Sequence, residues 1–74
     1  MKTEYQYLIF DQKENPGKTT NWNCCNKKFG TPLGEVKWHS TWRQYCYFPL
    51  VQAVYSAGCL NDIADFLNQL NKKP

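Results

Sequence analysis

The hydrophobic pattern of this chain changes period once, near residue 56. Before that point apolar and polar positions alternate in short runs separated by Gly, Pro and Asn. After it, apolar positions recur every third or fourth residue. Alternation marks strands with one buried side, and the longer interval marks a helix lying on an apolar surface.

Tyr5–Phe10 is rich in Tyr, Ile and Phe and predicts a first strand. Asp11–Lys18 follows, with a turn at Asn15-Pro16-Gly17, where Pro presets one backbone angle and Gly accepts positive φ. Thr19–Asn26 sets Thr20, Trp22 and Cys24 against Asn21, Asn23 and Cys25, a second strand with one buried side. Lys27–Gly34 contains Gly30, Pro32 and Gly34 and reads as a hairpin connection. Glu35–Ser40 and Trp42–Phe48 are two further strands around a tight turn. Pro49, with no N–H to donate, should end the ladder, and Val51–Tyr55 reads as a short extended piece or a loop.

In the last quarter Leu60, Ile63, Ala64, Leu67 and Leu70 share one helical stripe with Phe66 on its flank. Asn61, Asp62, Asp65, Asn68 and Asn71 take the other side. Ser56 is placed to cap the helix, although Gly58 weakens a first turn there and allows a start nearer Asn61. Lys72 and Lys73 suit the negative end of the helix dipole. The expected fold is therefore α+β: an antiparallel β-meander of about four strands with one C-terminal α-helix packed on one face, as a single domain over 1–74. Such a layout leaves the second sheet face open.

Five of the thirteen residues from Val36 to Phe48 are aromatic, and the register of the last hairpin decides which of them face outward. A three-residue loop at His39-Ser40-Thr41 pairs Trp38 with Trp42. It gathers Val36, Trp38, Trp42, Gln44, Cys46 and Phe48 on one side, and Glu35, Lys37, Arg43, Tyr45 and Tyr47 on the other. A loop of two or four residues exchanges the faces of the second strand, because side chains alternate with period two. The first register separates charged from apolar residues more cleanly and is preferred, although the turn lacks the Gly or Asn that tight hairpins favour. Trp38, Trp42, Cys46 and Phe48 then serve the core, and Lys37, Arg43, Tyr45 and Tyr47 form a basic, aromatic open face.

Charge sharpens that picture. The net charge of +3 is unevenly spread: −1 over residues 1–17, +4 over 18–55, −2 over 56–71 and +2 at Lys72 and Lys73. Flat rings flanked by cations suit single-stranded nucleic acid, whose bases stack while its phosphates pair with Lys or Arg. Lys37, Arg43, Tyr45 and Tyr47 are the candidate contacts, with Lys27 and Lys28 on the neighbouring hairpin gripping phosphate. Exposed tyrosines also make ordinary cross-strand pairs. The same rings would equally serve a protein partner or a second copy of the chain, since Tyr, Trp and Arg dominate interface hot spots.

Other chemistries find little support. Cys24, Cys25, Cys46 and Cys59 include no C-x-x-C pair, and adjacent strand residues point to opposite faces, so zinc is not expected; nor is a disulfide, given a cytosolic compartment. His39 lies beside the turn with no nucleophile or carboxylate partner near it in sequence. No phosphate loop or nucleophile motif is present, so neither enzymatic activity nor a cofactor is expected. The longest uncharged stretch, Gln44–Asn61, is too polar to span a bilayer, and the first residues do not form an apolar signal core. A cytoplasmic address with no membrane partner follows.

Leu33-Gly34-Glu35-Val36-Lys37-Trp38 with Trp42-Arg43-Gln44-Tyr45-Cys46-Tyr47-Phe48-Pro49 resembles a pattern in small uncharacterised bacterial and phage-borne proteins. Gly58-Cys59-Leu60 and Asp62-Ile63-Ala64-Asp65-Phe66 are similar to their C-terminal helix. The resemblance covers most of residues 20–70 and implies a compact domain that travels with mobile elements, with no established activity to carry over. At fold level the layout also resembles the sheet-and-helix DNA-binding domain of some phage-type integrases, an analogy that does not by itself assign function.

Overall fold

A computed structural model describes residues 1–13 and 19–72; the turn expected at Asn15-Pro16-Gly17 lies outside them. Four antiparallel strands, β1 (Leu8–Lys13), β2 (Asn21–Asn26), β3 (Pro32–His39) and β4 (Gln44–Pro49), pair in chain order, and α1 (Ala57–Asn71) follows. This is the α+β meander that the change of period implies.

Each element follows from local chemistry. Trp22 and Cys24 turn inward on β2 while Asn21 and Asn23 turn away, as the alternation requires. Ser56 caps α1, its hydroxyl accepting the Cys59 N–H at 3.2 Å. Gly58 is tolerated in the first turn because the Tyr7 ring lies against it. Pro49 ends the ladder, as expected. It is the last residue of β4, paired with Gly34 at an edge position whose N–H would point away from the sheet. Val51–Tyr55 contains no strand.

The first strand starts later than expected. Tyr5 precedes β1, in a segment that folds back along its edge: the Tyr5 N–H donates to Leu8 O and the Phe10 N–H to Thr3 O, both at 2.8 Å. Leu8 and Phe10 of β1, Trp22 and Cys24 of β2 and Val36 of β3 form the buried floor beneath Ile63 and Phe66 of α1. Phe66 is fully buried, stacked on Phe10 with centroids 4.0 Å apart and meeting Trp22 edge-on at 5.1 Å. The helix stripe is rotated from the expected one: Leu60 and Ala64 are exposed, and Ile63 and Phe66 carry the contact.

The last hairpin corrects the preferred register. Its loop has four residues, Ser40–Arg43, with His39 opposite Gln44, Trp38 opposite Tyr45 and Val36 opposite Tyr47. Arg43 takes φ +54°, a left-handed conformation, and its N–H donates to His39 O at 2.8 Å to close the loop. With Arg43 in the turn, the side chains of β4 change faces relative to the three-residue loop. Tyr45 and Tyr47 lie on the helix side, packed against the core cluster, while Cys46 and Phe48 lie on the open face.

Two carboxamides of α1 finish the sheet edges. Gln69 Oε1 accepts the Lys2 N–H and its Nε2 donates to Lys2 O, both at 2.9 Å, anchoring the segment that covers β1. On the other side Asn71 Oδ1 accepts the Tyr45 N–H at 2.7 Å and its Nδ2 donates to Tyr45 O at 3.0 Å. Each amide supplies the acceptor and donor that one residue of a neighbouring strand would supply, which blunts an exposed edge. Asn71→Leu should strip Tyr45 of both partners and lower stability by about 1–2 kcal/mol in a urea titration. Stability equal to wild type would show that the clasp contributes nothing.

Candidate nucleic-acid interface

The open face is built from the alternate residues of β3 and β4 that the register turns away from α1. Lys37 extends over the Phe48 ring, with Nζ 4.6 Å from its centroid. His39 stacks on Phe48 at 6.0 Å and tilts against Trp42 at 5.0 Å. The Trp42 N–H donates to His39 Nδ1 at 3.3 Å, so this nitrogen acts as an acceptor and the ring's place in the turn is fixed. The result is a continuous row, Phe48–His39–Trp42, ending on a tryptophan that is 66% exposed.

Cations border the row. Lys13 pairs with Glu35 at 2.7 Å, and its hydrogen bond holds the Glu35 carboxyl below its ordinary pKa against the opposing effect of burial. Among the described residues neither Lys37 nor Arg43 forms an ion pair. Asp11 lies on the same face at the β1 side, where together with burial it raises the Cys25 thiol pKa. The positive part of the face is therefore its β3–β4 side.

The expected site divides. Lys37 is on the open face and Arg43 sits in the turn at the end of the ring row. Tyr45 and Tyr47 do not join them. Trp38 packs edge-on against Tyr45 at 5.4 Å, on the helix side. Tyr47 O–H donates to the Tyr55 hydroxyl at 2.8 Å, because Tyr55 spends its own proton on Leu33 O at 2.7 Å. Burial first, and then that hydrogen bond, push the Tyr47 phenol far above its ordinary pKa. Cys24 beside it is pushed up to about 11, chiefly by burial, which leaves an unreactive thiol.

Lys27 and Lys28 occupy the β2–β3 turn, at the end of the sheet opposite the β3–β4 turn. Lys27 is paired with Glu4 at 2.8 Å and Lys28 lies over Phe29 at 5.3 Å. They border a separate cleft with Tyr7, Phe29 and Cys59 and do not extend the surface around Lys37. Trp42, His39 and Phe48 were outside the expected contact set, because the three-residue loop assigned Trp42 and Phe48 to the core.

All four cysteines are free, and among the described residues no three His, Cys, Asp or Glu side chains converge in a way that would hold a metal ion. No described helix is long and apolar enough to cross a membrane. Compared with protein-family models, curated proteins and solved structures, the chain matches none.

Proposed function

We propose that this chain is a small, cytoplasmic, non-catalytic accessory protein that binds nucleic acid on its open sheet face. The Phe48–His39–Trp42 row supplies the stacking surface, and Lys37 and Arg43 meet phosphates. The observation that supports this most directly is the pairing of a half-exposed aromatic row, ending on the mostly exposed Trp42, with two cations that have no ion-pair partner among the described residues. Base–aromatic stacking beside a cationic groove is the general chemistry of single-strand binding.

Two phosphate contacts give a modest salt dependence. The logarithm of the association constant for a single strand should fall with the logarithm of salt concentration at a slope of about −1.4. Arg43→Gly tests one contact without threatening the fold, because glycine adopts positive φ freely. Its stability should match or exceed wild type by up to about 1 kcal/mol, while its salt slope falls by about 0.7. An unchanged slope would remove Arg43 from the interface.

A protein partner, or a second copy of the chain, is the alternative occupant of the same face. It is favoured by Trp42, a large ring left mostly in water. That reading requires association that survives high salt, and for self-association a dimeric mass in solution.

A further inference from the structure

Between the outer edge of β4 and α1 runs a groove of about 360 Å³ whose lining residues carry no formal charge; Trp42, Tyr47, Ala64, Leu67 and Asn68 are among them. The pairing of Leu50 N–H with Leu33 O fixes which backbone groups of β4 turn toward β3, and those of Tyr45, Tyr47 and Pro49 turn outward. Asn71 fills the position at Tyr45. Pro49 has no N–H. Tyr47 alone presents an adjacent N–H and C=O, and among the described residues neither has a partner beyond β4. The Asn68 side-chain amide, exposed on the same groove, is also without a partner among the described residues.

We infer that this groove takes one unstacked nucleobase of a single strand lying on the open face, an inference that rests on the nucleic-acid reading above. A base carries neighbouring donor and acceptor atoms on its Watson–Crick edge, the same pairing group that the Asn71 carboxamide presents to Tyr45 two residues earlier. The base accepts the Tyr47 N–H and donates to Tyr47 O, Ala64 and Leu67 form the apolar wall, and Asn68 has its amide free for the remaining polar atoms. Trp42 lines the groove and also ends the ring row, so it joins the two surfaces.

The edge favours a base over a peptide. An added strand draws on successive outward residues, and the two on either side of Tyr47 are closed by Asn71 and by proline. A base needs only one. Because its Watson–Crick edge must be free, the slot selects single-stranded over duplex nucleic acid.

The test is an amide-resolved NMR titration with oligothymidine about eight nucleotides long and with the matching duplex. The Tyr47 amide and the Asn68 side-chain amide should shift with the single strand and stay still with the duplex. Ala64→Phe, which fills the groove from an exposed helix position, should weaken oligothymidine binding about fivefold or more with its thermal melt preserved. Shifts confined to Glu35, Lys37 and His39 of β3 would overturn the slot while leaving the open-face reading intact. Equal responses of Tyr47 to duplex and single strand would also overturn it. A Tyr47 amide that responds to a capped extended threonine peptide and not to oligothymidine assigns the groove to a polypeptide and likewise rejects the base. Absence of any binding removes both proposals together.

Discussion

Phe66→Ala should lower the unfolding free energy by about 4 kcal/mol, the largest single effect expected in this chain. Phe66 is the only helix residue with no exposed surface, and it joins both layers through the Phe10 stack and the Trp22 edge contact. Removing the ring opens a cavity between sheet and helix that Ile63 alone cannot fill. A domain of this size holds only about 4–11 kcal/mol in total, so the variant should be at or near the limit of folding at room temperature. Urea titration followed by near-ultraviolet circular dichroism measures the loss. Phe66→Leu, which keeps most of the volume, should recover a large part of it. An alanine variant within about 1 kcal/mol of wild type would mean that the helix does not pack where the Phe10–Phe66 stack puts it.

Gly34→Ala should follow at about 3 kcal/mol, a large effect for one added methyl group. A Cβ at Gly34 would stand 2.5 Å from the Tyr47 hydroxyl, 2.6 Å from Cζ and 2.7 Å from Phe48 O. The Tyr47 ring crosses β3 at this point, and its hydroxyl continues to Tyr55 and Leu33. Alanine therefore either displaces the ring, breaking a half-buried hydrogen-bonded chain, or bends the β3–β4 ladder. The melting temperature should fall by about 15 °C. Pairing the change with Tyr47→Leu should restore part of the loss and not all of it, since the Phe48 carbonyl remains in the way. Full additivity of the two changes would show that Gly34 and Tyr47 do not share this space.

The Gly34–Tyr47 contact also shows where reading the sequence stopped short. Strand number, order of elements, the inward face of β2 and the Ser56 cap all follow from local rules, because each depends on residues a few positions apart. The register of the last hairpin does not. The three-residue loop rested on separating Lys37 and Arg43 from apolar neighbours, which presumes that Arg43 belongs to a strand. Its left-handed backbone places it in the turn, and nothing local announces a positive φ at arginine. The available signal was volumetric: Gly34 leaves room on its face for a large ring from the adjoining strand, and only the even register puts Tyr47 there. One turn residue thus moved Tyr45 and Tyr47 under the helix and brought Phe48 into the open. Asn68 and Asn71 illustrate the same limit on α1. Assigned together to a polar face, they meet different surroundings, with Asn71 completing the β4 edge and Asn68 left available.

The clasps at Lys2 and Tyr45 bear on the proposed function. With both edges engaged by helix carboxamides or the folded-back N-terminal segment, strand addition has little backbone left to use. On the proposed reading recognition then falls to the face, where Trp42 meets the cations that have no ion-pair partner among the described residues.

Fluorescence anisotropy of labelled oligothymidine tests that claim most directly, with wild type, Lys37→Glu and Trp42→Ala titrated at low salt. Trp42 is mostly exposed, so its removal should leave the melt close to wild type. Wild type should bind and release the strand as salt rises. Trp42→Ala should weaken binding about tenfold, and Lys37→Glu should abolish it at moderate salt. Binding by all three proteins with equal affinity, or none by wild type at the lowest salt, would contradict a nucleic-acid interface at Phe48, His39 and Trp42.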